Sequence, residues 1–152
     1  MIETRPGRRE DTPVIVDFQV RMARETEGID LHPPTVEEGV EAVFDDPRKG
    51  AYWIAESEGE TAGCLLTVPE WSDWRNGTVL WVHSVYVIPS ARRRGVFREM
   101  YRALKAMVEA SPDLRGIRLY VATENAGAQE TYRVMGMDDG RYHMFEWMKE
   151  GE

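Results

Sequence analysis

Apolar and polar positions along the chain predict an alternation of strands and helices. β-branched and aromatic runs mark the strands, and apolar residues at three- and four-residue spacing mark the helices. Gly28 closes the first helix, and Thr35 with Glu38 has the spacing of a capping box at the start of the second. The predicted strands are 1–5, 52–56, 61–68, 78–88, 117–122 and 142–148, and the predicted helices are centred on 14–22, 36–44, 97–108 and 126–135.

Length and composition predict one folded domain over residues 1–152. The chain is 42% apolar and 30% charged, the usual mix of a globular protein. Because no apolar stretch approaches the ~20 residues that cross a bilayer and the charged N-terminus has no signal core, we expect a cytoplasmic protein with no membrane partner. Cys64 is the only cysteine, so an internal disulfide is excluded, and a buried, inert thiol is expected in its apolar strand.

Charge is distributed unevenly. The formal net charge is 19 − 27 = −8, but residues 1–76 hold 8 basic and 17 acidic side chains (−9), and residues 77–152 hold 11 and 10 (+1). An acidic chain is a poor nucleic-acid binder, because phosphate neutralisation supplies most of that affinity. One basic cluster nevertheless lies in the second half of the chain: Arg92, Arg93, Arg94 and Arg98.

These arginines follow a buried strand and open a helix, which is the setting of an anion site. The first N–H groups of a helix have no intrahelical partners and carry the positive end of its dipole, so phosphate groups accept hydrogen bonds there. Gly95 permits close approach of the backbone. The spacing matches neither the phosphate loop of nucleotide hydrolases nor the three-glycine dinucleotide fingerprint.

The segment Arg92-Arg93-Arg94-Gly95-Val96-Phe97 resembles the Arg/Gln-x-x-Gly-x-Gly/Ala signature of the GNAT superfamily of N-acetyltransferases, with Phe97 in place of the last small residue. A second segment, residues 125–137, is similar to that family's Asn-x-x-Ala-x-x-x-Tyr-x-x-x-Gly-Phe, with Met137 at the last position. Both stand in the family's order, and the resemblance covers nearly the whole chain. It implies an α/β fold with a mixed sheet of about six to seven strands, splayed between its central parallel strands and flanked by about four helices.

The resemblance also implies the co-substrate and the residues that hold it. Acetyl-CoA would lie in the splay, with its pantetheine arm paired to the strand and its pyrophosphate at the basic turn. Asn125 and Ala128 would contact it, and Tyr132 would point at its sulfur as general acid. The cofactor-binding positions expected on this basis are Val85, Tyr86, Val87, Arg92, Arg93, Arg94, Gly95, Val96, Phe97, Arg98, Asn125, Ala128 and Tyr132.

The expected activity is direct acetyl transfer from acetyl-CoA to a primary amine. His83, two residues before Val85 and expected on the same strand face, is the candidate base, and an ordered water or a base at Trp81's position is the alternative. No metal is required, since His32 and His143 lack ligand spacing. Because the first half of the chain is acidic, we expect a cationic acceptor.

Several alternatives stay open at this point. A catalytically silent acyl-CoA-binding module would keep the phosphate turn, and a nucleic-acid module would use the arginines on phosphates. The acceptor is unidentified, a small molecule or a peptide, and a homodimer is compatible with the sequence. Trp71 and Trp74, in a polar loop predicted at 69–77, either pack on the sheet or line an acceptor pocket, and the acidic residues between the first two helices are expected to be solvated: Glu25, Glu27 and Asp30.

Overall fold

The computed structural model, which describes residues 1–151, has the predicted mixed α/β architecture. Four antiparallel strands are followed by one parallel strand, in the spatial order β1-β2-β3-β4-β5. The strands are Ile2–Pro6 (β1), Ala51–Ser57 (β2), Glu60–Ser72 (β3), Gly77–Val87 (β4) and Leu114–Arg118 (β5). The helices are Thr12–Glu27 (α1), Pro33–Asp45 (α2), Val96–Ala110 (α3) and Ala126–Val134 (α4), with short 3-10 turns at Arg9–Asp11 and Pro89–Ala91.

By its internal contacts the chain divides into two compact units, Met1–Leu119 and Tyr120–Glu152. The first unit contains the sheet and α1 to α3, and the second contains α4 and the C-terminal segment. The assignment of residues 1–152 to one domain stays a prediction. Within residues 1–151, no helix has the length and apolar character needed to cross a bilayer.

Both faces of the sheet in the first unit are covered by helices. On one face, α1 and α2 bury Ile15, Phe18 and Val40 against strand residues that include Cys64 and Tyr86. On the other face, α3 buries Val96, Met100 and Leu104 against Leu65 and Val82 of the sheet. Met100 of α3 and Ile15 of α1 are fully buried, which places an apolar face of each helix against the sheet. We refer below to the α1–α2 face and the α3 face.

Two local predictions are corrected by the structure. The second helix begins at Pro33, and His32 rather than Thr35 is its N-cap; the His32 Nδ1 and Thr35 Oγ1 lie 2.9 Å apart. Proline is preorganised for the first helical position, and this preference outweighs the capping-box pattern here. The loop predicted at 69–77 shrinks to residues 73–76, because β3 runs on to Ser72. Trp71 and Trp74 are 65% and 89% exposed, so neither side chain is buried in the core.

The last two predicted strands also differ. β5 is formed by Leu114–Arg118 and so begins three residues before the predicted 117–122. The strand predicted at 142–148 does not form, and residues 142–148 have no regular secondary structure. Residues 1–151 therefore form five strands where six to seven were expected. Sequence alternation reports strand propensity, whereas a strand also needs a partner for its main-chain groups.

Candidate functional site

The two parallel strands of the sheet part from one another halfway along β4. Their pairing runs from Thr78 opposite Leu114 to Trp81 opposite Arg118, and β5 ends there. β4 continues to Val87, so residues 82–87 extend past the end of its parallel neighbour. The predicted splay is therefore present. It gives a strand-like ligand an edge of β4 with which its own polar groups can pair.

A β-bulge interrupts β4 within this extension. Cys64 of β3 lies opposite Tyr86, and Leu66 lies opposite His83, so Ser84 and Val85 together oppose the single residue between them. Ser84 has a φ of +56°, a left-handed conformation that is uncommon for a residue other than glycine. A bulge leaves one residue out of the ladder and bends the strand, which redirects main-chain groups at that point.

The bulge corrects the expected placement of His83. Leu66, opposite His83, packs with the core of the α1–α2 face, and so do Cys64 and Tyr86. Val85 packs with the core of the α3 face. Because paired residues of antiparallel strands share a face, His83 shares its face with Tyr86, and the prediction that it shares one with Val85 is wrong. The extra residue of the bulge breaks the two-residue alternation between them.

His83 is half-buried, and its ring stacks on that of Trp81 with centroids 6.1 Å apart. Burial lowers the pKa of the imidazole below its ordinary value of 6.5. The direction follows from the cost of holding a charge in a desolvated site. The ring is consequently neutral at pH 7, the state in which it can accept a proton.

β4 leads into a basic turn with two left-handed residues. Arg93 has a φ of +65°, and Gly95, the N-cap of α3, has a φ of +80°. A Cβ placed on Gly95 meets no atom within 4 Å, so the space in front of the turn is open. The Glu99 N–H bonds the Gly95 carbonyl at 3.0 Å, and helix geometry leaves the N–H groups before it without intrahelical partners. Turns with left-handed residues can aim successive N–H groups into one anion-binding concavity.

All four arginines at this turn are exposed, and three of them are cations without an ion pair among residues 1–151. These three are Arg93, Arg94 and Arg98. Phe97, which departs from the family signature, packs its ring into the core of the α3 face and lies 6.4 Å from the ring of Tyr101. Its bulk is accommodated by the core, and α3 begins next to Gly95 as the signature predicts.

Arg92, the fourth arginine, is bonded to other groups of the protein. Its Nε donates to the Val87 carbonyl at 2.9 Å, and its Nη2 donates to Glu25 of α1 at 2.7 Å. The Tyr86 hydroxyl donates to the second oxygen of Glu25 at 2.9 Å, and the Arg92 guanidinium lies 5.4 Å from the centre of the Tyr86 ring. Arg92 and Tyr86, in that order of effect, hold the pKa of Glu25 below its usual value. This cluster fastens the end of α1 to the end of β4.

The second unit contains the other family segment. Asn125 caps α4, and its side-chain oxygen accepts from the Ala128 N–H at 3.1 Å. Asn125 and Ala128 thus have a local structural role, which leaves the Asn125 amide N–H groups for other contacts. Tyr132 is half-buried on α4, and burial raises the pKa of its hydroxyl above 10. The hydroxyl therefore keeps its proton across the physiological range.

The remaining candidates are Cys64 as a nucleophile and a group of side chains that could bind a metal ion. Cys64 is fully buried, and burial raises the pKa of its thiol to about 12, so it is not a nucleophile at neutral pH. Within residues 1–151, no three His, Cys, Asp or Glu side chains converge in a group that could hold a metal ion.

Sequence reasoning missed two residues of this site. Ser84 carries no signal for the bulge, because serine in the middle of a β-branched run is ordinary. Glu25, expected to be solvated, is bound by Tyr86 and Arg92 instead, in contacts that span 61 and 67 positions of sequence. Asp30 is likewise paired with Arg24 at 3.0 Å, whereas Glu27 is exposed.

A sequence profile described as "Acetyltransferase (GNAT) family" matches residues 18–137. Among solved structures, a possible acetyltransferase from Clostridium difficile 630 is 36% identical, with 98% of each chain covered and a TM-score of 0.90. No curated protein matches the chain significantly.

Two more distant structures share the fold. A predicted acetyltransferase from Clostridium acetobutylicum, solved with acetyl-CoA, is 17% identical with a TM-score of 0.73, and 98% of this chain and 95% of that chain are covered. Glucosamine-6-phosphate N-acetyltransferase from Arabidopsis thaliana is 15% identical with a TM-score of 0.73, and the coverage is 98% and 99%.

Proposed function

Because the chain belongs to the acetyltransferase (GNAT) family, we propose that it moves the acetyl group of acetyl-CoA directly to a primary amine, without an acyl-enzyme. Membership of this family makes the chain an N-acetyltransferase. What we propose beyond that is the direct transfer of the acetyl group, the class of acceptor and the residues that take part. The observation that carries it is the continuity of one strip of backbone: an open edge of β4, a bulge at Ser84 and Val85, and a basic turn at the start of α3.

The chain's own groups fit acetyl-CoA along this strip. Main-chain groups of Val85, Tyr86 and Val87 would pair with the pantetheine amides as an added strand would. The N–H groups at the start of α3 and the exposed Arg93, Arg94 and Arg98 would hold the pyrophosphate. Arg92 would act as a positioning residue, since it is already bonded to Val87 and Glu25. The family segment adds Asn125 and Ala128 as cofactor contacts.

The acceptor has to lose a proton before it reacts. An alkylammonium of pKa ~10.4 lies about three units from its reactive form at pH 7, which corresponds to roughly 4 kcal/mol. His83 is the candidate base, and its lowered pKa keeps it able to accept a proton. It shares the α1–α2 face with Tyr86, so we expect the amine to approach from that face.

The remaining steps need a hydrogen-bond donor for the acyl oxygen and a proton donor for the sulfur of CoA. Bound acetyl-CoA supplies an activated thioester. A main-chain N–H of the bulged strand would donate to the acyl oxygen as negative charge develops on it. The Tyr132 hydroxyl would give its proton to the departing thiolate, whose conjugate acid has a pKa near ~8.5. The raised pKa of Tyr132 keeps that proton available.

We expect the acceptor to be cationic before it reacts. Residues 1–76 carry a formal charge of −9, and this part of the chain includes α1 and α2, which cover the face that holds His83. An acidic rim would raise the local concentration of an ammonium acceptor. The exposed acids there include Glu27, Glu37 and Glu41.

Two measurements on one preparation test the proposal. Isothermal titration gives the affinity for CoA, and a thiol-release assay with acetyl-CoA and a panel of amines gives turnover. We expect micromolar CoA binding and release that depends on a cationic primary amine. CoA binding without release for any amine, in a panel of peptide N-termini, lysine, polyamines and amino sugars, would favour the silent module. A salt-sensitive gel shift with DNA or RNA, with no CoA binding, would favour a nucleic-acid module.

A further inference from the structure

Three residues of α1 contact the side chain of Tyr86, which is 4% exposed. The Phe18 ring lies 5.1 Å from the Tyr86 ring, centre to centre, and the Arg21 guanidinium lies 5.9 Å from the same centre. Glu25 accepts from the Tyr86 hydroxyl at 2.9 Å. Positions 18, 21 and 25 are three and four residues apart and so lie on one face of the helix. α1 thus holds the Tyr86 side chain from its ring to its hydroxyl.

Arg92 connects this group to the main chain of β4. Its Nε donates to the carbonyl of Val87, the last residue of the strand, at 2.9 Å, and its Nη2 donates to Glu25 at 2.7 Å. Oε1 of Glu25 accepts from Tyr86 and Oε2 accepts from Arg92, so each carboxylate oxygen has a different donor. We call the five residues the Tyr86 clamp: Phe18, Arg21, Glu25, Tyr86 and Arg92.

The clamp acts on the part of β4 that extends past the end of β5. The pairing with β5 ends at Trp81, and β4 runs on to Val87. The bulge of β4 directly precedes Tyr86 and interrupts the ladder with β3. The direction of the main-chain groups of residues 85–87 therefore depends on contacts of their side chains and carbonyls as well as on the ladder. Every residue of the clamp lies in the unit Met1–Leu119.

We propose that Glu25 is a positioning residue for acetyl-CoA: by holding Tyr86 and Arg92 it fixes the main-chain groups of residues 85–87 in the direction that pairs with the pantetheine arm. The inference rests on the proposed function, since it takes acetyl-CoA to bind along this strip. It also divides the basic turn into two parts. Arg92 orients the backbone, and the arginines left to bind the phosphates are Arg93, Arg94 and Arg98.

The sign of the effect of Glu25→Gln separates this role from phosphate binding by Arg92. If Arg92 held a phosphate, Glu25 would compete for its guanidinium, and removing the negative charge would tighten CoA binding. If Glu25 positions the strand, the same change weakens CoA binding, because one of the two donors then faces an NH2 group instead of an oxygen. We expect the CoA Kd to rise about 3- to 10-fold, which is the range for hydrogen bonds to a partly exposed charged group.

Two ligands show which part of CoA depends on the clamp. CoA contains the pantetheine arm, and 3′-phospho-ADP is the nucleotide part of CoA without that arm. Isothermal titration of folded Glu25→Gln should give a weaker Kd for CoA and a Kd for 3′-phospho-ADP within about twofold of the wild-type value. Arg94→Gln, which removes a phosphate-binding charge, should weaken the binding of both ligands by the same factor. A general loss of structure would lower the fraction of binding-competent protein and leave the ratio of the two affinities unchanged.

Two matched variants complete the test. Tyr86→Phe keeps the ring against Phe18 but lacks the hydroxyl, so it should also weaken CoA binding, without any change of charge. Because it removes a contact that Glu25→Gln also removes, the double variant should bind CoA about as weakly as Glu25→Gln alone. Glu38→Gln, the same change at an exposed acid of α2, should leave the CoA Kd unchanged.

The possible results separate the positioning role from the function on which it rests. Weaker CoA binding in Glu25→Gln and Tyr86→Phe, with 3′-phospho-ADP binding unaffected, would support the positioning role. Tighter or unchanged CoA binding in Glu25→Gln, or an equal loss for both ligands, would overturn it and leave acetyl-CoA as the co-substrate. A wild-type chain that binds neither ligand would instead overturn the proposed function, and the positioning role with it.

Discussion

Replacing Ser84 tests whether the bulge of β4 is the backbone feature on which the site depends. A residue other than glycine in the left-handed region costs ~1–2 kcal/mol, and Ser84 has a φ of +56°. Ser84→Gly removes that cost but gives the unfolded chain more freedom, which costs about 0.5–1 kcal/mol. The unfolding free energy should therefore rise by between zero and about 1.5 kcal/mol, which is a gain of at most roughly 6 °C in Tm for a chain of this size.

Ser84→Val should behave differently. A β-branched residue at this φ is a strong outlier, and the added strain is about 1–3 kcal/mol. The strand can relieve it by losing the bulge, but a one-residue slip moves side chains to the opposite face and would separate His83 from Tyr86. We therefore expect a Tm lower by several degrees and a large loss of kcat/KM for acetyl-CoA.

Thermal unfolding and the thiol-release assay measure both effects, and Ser84→Asn serves as a third variant because asparagine tolerates left-handed backbone. The reasoning predicts that the Gly and Asn variants stay active and the Val variant does not. If Ser84→Gly were as damaging as Ser84→Val, the hydroxyl and not the backbone would matter. If Ser84→Val kept its Tm and its activity, the bulge would not be under strain.

Three further predictions concern catalysis and the acceptor. Tyr132→Phe should leave CoA affinity unchanged and lower kcat by ~10²- to 10⁴-fold, so a kcat within twofold with chemistry rate-limiting would remove the acid role. Since burial lowers the His83 pKa, activity should fall only below pH 6.5, and His83→Gln should abolish this acidic limb; an unchanged pH profile would assign the base to water. Glu27→Lys with Asp30→Lys should raise the acceptor KM, as added salt should, and the control Glu109→Lys on α3 should leave it unchanged. If neither salt nor the double substitution changed the acceptor KM, the charge asymmetry would have no role in acceptor binding.

The parts of the site that the sequence predicts are those built from neighbouring residues. The strand, the turn around Gly95 and the start of α3 follow one another within about twenty positions, and the reason for each is local: a β-branched run, a proline stop, a glycine and a helical apolar face. Asn125 at the start of α4 is a similar case, since its capping bond spans three residues.

What the sequence could not predict depends on residues far apart. Glu25 looked solvated because nothing near it in sequence is its partner, and Tyr86 and Arg92 reach it only after α1 packs on the sheet. The bulge arises from the pairing of β4 with β3, and it reversed the face assigned to His83. The strand expected at 142–148 has the propensity in its sequence, but these residues have no regular secondary structure.

The central claim is that the turn before α3 holds the phosphates of acetyl-CoA, and a pair of substitutions at Gly95 tests it most directly. Asparagine and aspartate both tolerate a φ of +80°, so Gly95→Asn and Gly95→Asp place side chains of the same shape into open space. They differ by one negative charge, which at about 5 Å from a phosphate charge costs about 1–3 kcal/mol. Isothermal titration should give a CoA Kd for folded Gly95→Asp that is ~5- to 150-fold weaker than for Gly95→Asn. Equal Kd values for the two variants would contradict phosphate binding at this turn.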